Sequence, residues 1–174
     1  SHAAELDWVQ RSNADAQLLL DVLARYNPES AADLGVEGHD TGIFDLKPGF
    51  DTRFEADLAS VATQLEGKLA TEKDTHVQQD LHILIDAAVD NRTTSELNRR
   101  LMLPYFDLPQ ALFQGFQSLL DPRVSTDRYP AALARLRKYT GREPGYTPIT
   151  ELARERAEER FGVEGLTGPW TVEV

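Results

Sequence analysis

The chain has 174 residues, 41% of them hydrophobic and 27% charged, which suits one globular domain with a real core rather than a disordered chain. Its net charge of −11 argues against nucleic-acid or anionic-membrane binding, which needs clustered Lys and Arg. The absence of cysteine excludes disulfides, thiolate metal sites and a cysteine nucleophile.

Nearly every segment carries helical signals. Ser1-His2 reads as the remnant of a cleaved affinity tag, and no secretory signal pattern opens the chain. Leu6, Val9, Leu18, Leu19, Val22 and Leu23 predict a first helix to about Tyr26. Asn27-Pro28 is a cap followed by a first-turn proline, opening a short helix through Leu34 that ends at Gly35. The stretch from Val36 to Gly49 reads as a loop, long enough to be functional or mobile. Asp51 is the expected cap of the next helix, whose Phe54, Leu58, Val61, Leu65 and Leu69 follow steps of four and three.

Asp74 starts another helix, with Val77, Leu81, Leu84 and Ala88 on one stripe and Ile85 and Val89 beside it. Thr93-Thr94-Ser95-Glu96 has capping-box spacing, so either a break falls there or one helix runs from Asp74 to Arg100. The apolar run from Glu96 to Asp121 is interrupted by Pro104 and Pro109 and cannot be one straight helix, since an interior proline costs roughly 3 kcal/mol. It divides into a helix ending near Leu103, a bend at Pro104-Tyr105-Phe106, and a helix capped by Asp107 that runs from Leu108 to Leu120. Leu133 and Leu136 mark the following helix, with Gly141 as its C-terminal cap. Thr147-Pro148 starts the last, ITELARERAEERF, and the tail from Gly162 has no helical period and ends on a short apolar run. The expected fold is all-α, an irregular array of about seven helices in a single domain. No apolar run approaches the roughly 20 residues that span a bilayer.

The candidate chemistry is sparse. His76 and His82 are six residues apart, about 120° around a helix, whereas paired zinc ligands on a helix stand three or four apart. Surface or half-buried structural histidines are the expectation. His39 and Asp40, with Glu37 and Asp45 nearby, are a second candidate for metal or acid–base work. Their loop lacks the alternating acidic series that wraps calcium, and Asx-type turns are the expected use of Asp40 and Asp45. Arg99 and Arg100 could clamp a carboxylate or phosphate, or pair with Glu96 or a neighbouring helix. Tyr105, Phe106, Phe113 and Phe116 could line a channel, although core packing is the simpler expectation. Ser95, Ser118 and Ser125 have no matched His and Asp, and no GxSxG or phosphate-cradling glycine loop is present.

The run TSELNRRLMLPYFDLPQALFQGFQSLLDPR, with PESAADLGVEGHD upstream and EPGYTPITELARER downstream, resembles the N-terminal half of a bacterial family called domain of unknown function 885. The likeness extends from about Ala14 to the tail and rests on overall texture, with no catalytic motif in it. Full-length members are longer and resemble helical zinc metallopeptidases whose HExxH motif lies in the C-terminal half. The resemblance implies that this chain is the N-terminal portion of such a protein, non-catalytic alone, with zinc bound only by the part that follows. It also implies that Tyr105, Phe106, Arg99, Arg100, His39 and Asp40 are the residues nearest a substrate cleft. Its expected partners are the C-terminal half and a peptide substrate, in a bacterial cytoplasm or after export and signal-peptide removal. This chain has no HExxH, and no zinc ligand or general base can be assigned in it. The first functional reading is therefore a cleft-shaping helical part of a zinc-dependent peptidase, with exposed apolar surface where the other half docks or copies self-associate. The second is a helical protein-binding or scaffold module without chemistry, whose acidic surface suits a basic partner.

Overall fold

The computed structural model describes residues 2–166, with side chains from Asp7 onward; the apolar run at the tail lies outside the described residues. The helices are α1 (His2–Tyr26), α2 (Pro28–Asp33), α3 (Phe50–Leu69), α4 (Thr75–Leu101), α5 (Leu108–Leu120), α6 (Tyr129–Tyr139) and α7 (Ile149–Glu158). A 3-10 turn, η1 (Thr126–Arg128), leads into α6, and there is no strand element among the described residues. The expected all-α array of about seven helices is what the described residues form. No helix among the described residues is long and apolar enough to cross a membrane.

The chain gathers into two compact units. The first comprises the chain to Leu23 with Asp51–Leu97. Here α1 buries Ser12, Asp15, Leu19 and Val22, which recur at helical spacing on one face. From α3 come Leu58, Val61 and Leu65, and from α4 Val77, Leu81 and Ala88, all essentially inaccessible. Each such aliphatic side chain contributes roughly 1.5–3 kcal/mol before conformational entropy is subtracted. Asp15 is buried but takes the Lys68 ammonium at 2.9 Å, and the Arg11 guanidinium meets Glu72 at 2.5 Å, tying α1 to the turn before α4.

The element boundaries differ from the sequence reading, or decide between its alternatives, as follows. First, α3 starts at Phe50, whose N–H donates to the Lys47 carbonyl at 3.2 Å; Gly49 makes the turn at φ 73°. Asp51 stands inside the first turn rather than at the cap, where its charge still favours the helix dipole. Second, the capping-box spacing at Thr93–Glu96 does not break α4. The Ser95 hydroxyl donates to the Glu55 carboxylate at 3.1 Å, so it serves α3 and leaves the helix ladder intact. Third, α4 ends at Leu101 and α7 at Glu158, each a few residues earlier than read. Asp74 does open α4, accepting from the His76 N–H at 2.9 Å.

The second unit comprises Ala24–Phe50 with the described residues from Asn98 onward. Its α2 is capped as the sequence predicts: the Asn27 side chain accepts from the Ser30 N–H, Pro28 occupies the first turn, and Gly35 turns the chain at φ 79°. At the start of α5 the Asp107 carboxylate accepts from the Gln110 N–H at 3.1 Å. Leu46, Tyr139, Ile149 and Ala153 form a core against which Phe44, Phe50, Phe106 and Phe116 pack. Phe113 lies outside it, 61% exposed, so neither channel nor core use applies to that ring.

The face of α6 is also unlike its sequence stripe. Leu133 and Leu136 are 51% and 46% exposed, while Ala132, Arg135 and Tyr139 turn inward. An arginine at the centre of a buried face is invisible to hydrophobic periodicity.

Candidate functional site

The second unit holds a cavity of about 670 Å3, inside the roughly 300–1,000 Å3 range of small-ligand clefts. One side is the start of α2, where Asn27-Pro28 sets the chain direction and brings Glu29, Ser30 and Asp33 to the lining. A second side is α5, contributing Ala111, Gln114 and Gln117 at steps of three. The loop from Phe44 to Leu46 and the bend from Tyr105 to Asp107 complete it. Proline 104 keeps that bend out of α4, and Asp107 fixes where α5 begins.

The lining is acidic and aromatic. Glu29, Asp33, Asp45 and Asp107 supply carboxylates; Tyr26, Phe44, Phe50, Tyr105 and Phe106 supply rings; no Lys or Arg is among the lining residues. Edge-on contacts fix the rings: Phe50 meets Phe106 with centroids 6.3 Å apart, and Phe116 behind the wall meets Tyr139 at 5.7 Å. Three carboxylates have structural work. Asp45 accepts from the Lys47 N–H at 2.8 Å in the Asx-type turn expected of it, and Asp107 caps α5. Glu29 Oε1 accepts from the Phe44 N–H at 2.9 Å and the Tyr139 hydroxyl at 2.7 Å. Glu29 Oε2 is buried and accepts from no described residue.

Behind Glu29 lies a polar network. Arg135 is fully buried, and its Nε donates to the Gly42 carbonyl at 3.0 Å, Nη1 to Gly115 and Nη2 to His39 at 3.2 Å. Burial lowers its guanidinium from the ordinary value, opposed by the neighbouring Tyr139, Glu29 and Asp40. Burial also pushes the Tyr139 phenol far upward, reinforced by the Glu29 carboxylate, so Tyr139 stays a neutral donor. Gly115 lets α5 come this close: a Cβ there would lie 2.7 Å from the Tyr139 hydroxyl.

The sequence candidates distribute unevenly. Tyr105 and Phe106 line the cavity; Arg99, Arg100, His39 and Asp40 do not. Asp40 makes no Asx turn, contrary to expectation: Arg128 holds its carboxylate through two bonds of 2.8 and 2.7 Å, and these hydrogen bonds keep its carboxyl below the usual range. The loop carbonyls of His39, Thr41 and Gly42 are taken by Arg135 and Lys138. Arg99 and Arg100 are exposed at the end of α4, the Arg99 carbonyl accepts from Arg160, and Glu96 pairs with Arg92 at 3.3 Å. His76 and His82 are both exposed, and His76 stacks on Trp8 with centroids 4.9 Å apart. No group of three or more His, Asp or Glu residues suited to a metal ion occurs among the described residues.

Glu29 and Asp33 were missed as cavity residues, and Asp45 was named only as a candidate for metal or acid–base work beside His39 and Asp40. Only the Asn27-Pro28 cap signalled that the chain turns at this point, and nothing in the spacing joins it to Asp107. Fold and site together define an all-helical module with an acidic, aromatic-walled cavity and no cysteine- or metal-based catalytic motif among the described residues. Comparison with protein-family models, curated proteins and solved structures found no match to the chain.

Proposed function

We propose that this chain is a helical binding module whose recognition site is the cavity of the second unit, taking a segment of a partner protein or peptide. The observation that carries this reading is the use to which the cavity carboxylates are put. Glu29, Asp45 and Asp107 are spent on a buried network, a turn and a helix cap, so they shape and charge the cavity instead of forming a mobile acid–base pair. Rings fixed by their neighbours give a rigid apolar wall, which recognition uses at low entropic cost. Selecting displayed peptides on the immobilised protein tests it. Binders should emerge whose affinity falls at least tenfold in a Tyr105→Ala, Phe106→Ala variant; binders indifferent to both changes would overturn the reading.

A second reading follows from the likeness to domain of unknown function 885: the chain forms part of a substrate cleft in a longer zinc peptidase. It is supported by the proline-bent segment that brings Tyr105 and Phe106 into the lining. An apolar stripe of Tyr129, Leu133 and Leu136, exposed on α6 at helical spacing, also suits docking to further polypeptide. Expressing the complete natural reading frame and assaying zinc content and peptide hydrolysis decides between the two. Hydrolysis that is zinc-dependent and lost in Phe106→Ala favours the cleft.

A further inference from the structure

On an acidic protein, α6 presents a face of the opposite character. Its exposed residues are Tyr129, Pro130, Leu133, Leu136 and Arg137, and the helix contains no Asp or Glu. The chain as a whole has 29 acidic and 18 basic residues, so this face is the local reverse of its surroundings. Exposed apolar surface rimmed by polar groups marks a site of interaction.

The spacing of the apolar residues says what kind. Tyr129, Leu133 and Leu136 stand four and then three residues apart, the alternation by which two helices pair along a shared seam. They are 40%, 51% and 46% exposed, and the inward face of α6 is a separate one, formed by Ala132, Arg135 and Tyr139. Arg137 follows the last leucine at the flank of the seam, where charge selects the partner. The neighbouring cations are engaged: Arg128 with Asp40, Arg135 with main-chain carbonyls, Lys138 with the Thr41 carbonyl. Arg137 has no such bond among the described residues. Its place in the last turn also suits the helix dipole, a use that gives leucines no reason to face water.

We infer that this face of α6 docks an amphipathic helix of a partner protein, with aliphatic residues along its seam and Asp or Glu on its flank. The aliphatic residues cover Tyr129, Leu133 and Leu136, and the acidic group meets Arg137. A second copy of this chain fits less well: two bodies of net charge −11 repel, and a symmetric pairing sets the same cation on both sides of the seam. The surface is independent of the cavity, none of whose lining residues belongs to α6.

Selection from a displayed library of single-helix peptides tests this, built on an Ala- and Gln-rich scaffold and varied at its seam and flank positions. Binders should carry aliphatic residues in the seam and Asp or Glu on the flank, against the pull of the chain's net charge. Their affinity, read by fluorescence anisotropy, should fall by about tenfold or more in Leu133→Glu and in Leu136→Glu. Both are surface changes, and an unchanged circular dichroism spectrum checks the fold. Arg137→Glu should turn the flank preference toward Lys and Arg. Cavity binders are told apart by their loss in the Tyr105→Ala, Phe106→Ala variant, a loss these helices should not share. Failure to recover helices, a flank preference for basic residues, or binding unaffected at Leu133 and Leu136 overturns the inference and leaves the cavity reading standing. Sedimentation showing a dimer that Leu133→Glu dissociates overturns the partner in favour of a second copy. If the complete natural reading frame refuses helices that this chain binds, its own polypeptide covers the face, and the partner is likewise overturned.

Discussion

The Tyr139 hydroxyl donates to Glu29 Oε1 at 2.7 Å across 110 residues of sequence, joining the last turn of α6 to the first turn of α2. Gly115 of α5 passes directly over this bond. Replacing a helical glycine with alanine ordinarily stabilises by up to about 1 kcal/mol. Gly115→Ala should do the opposite. The new Cβ would lie 2.7 Å from the Tyr139 hydroxyl and 3.2 Å from Glu29 Cγ, and both side chains are buried and mutually bonded. A net loss of about 1–3 kcal/mol is expected from overpacking, read from the urea midpoint. A stabilised variant would show that Tyr139 is free to swing aside.

Arg135→Met keeps the apolar stem and removes the guanidinium. It strands the Gly42 carbonyl and takes one donor from the carbonyls of His39 and Gly115, which keep the Gly42 N–H and the Ser118 hydroxyl, so a loss of about 1–3 kcal/mol is expected in thermal or chemical unfolding. Arg135→Lys should recover only a fraction, since one nitrogen cannot reach three acceptors in different directions. Full recovery with lysine would mean that the charge, not the fork, matters.

Asp40→Asn should cost about 1 kcal/mol, the modest value of a partly solvated pair even with two-pronged geometry. The sign with pH follows from the lowered Asp40 carboxyl. The stability it lends is present above the ordinary carboxylate range and fades as pH falls through the depressed value. The Asn variant should therefore differ from the parent at neutral pH and converge with it in acid. A constant gap at every pH would exclude the pair as its cause.

Glu72 gives an acid response in the first unit. The Asp74 N–H, the Arg11 guanidinium and the Lys73 N–H together lower its carboxyl from 4.5 to about 2. Its stabilising contribution is complete above pH 4.5 and is lost as pH falls toward 2. Glu72→Gln should flatten the slope of unfolding free energy in that window and leave the slope near neutrality unchanged. An identical acid slope in both proteins would place the sensitivity elsewhere.

The elements that were legible in sequence are those whose ends are marked locally. In α5 the signals Asp107, Pro109 and Asp121-Pro122 all lie within the helix or within two residues of it, and its bounds are the ones read. The α4 capping box misled because a serine beside a glutamate carries no record of Glu55, the more distant acceptor its hydroxyl chooses. The inward face of α6 was hidden for the same reason: Arg135 is buried only because main-chain carbonyls from other segments converge on it. The cavity is the extreme case. Its lining comes from α2, a loop, a bend and α5, and no single stretch contains enough of it to read.

The connection between α2 and α3 is anchored largely from outside: Arg128 of η1 holds the Asp40 carboxylate, and Arg135 and Lys138 of α6 grip the backbone oxygens of His39, Thr41 and Gly42. Every amino acid owns such an oxygen. Saturation mutagenesis should thus find His39 and Thr41 permissive to most replacements. Gly42, pressed so close to Pro28 that an added Cβ would lie 2.6 Å away, should tolerate almost none. Drift in the letters of this segment would be compatible with an unchanged path of its chain.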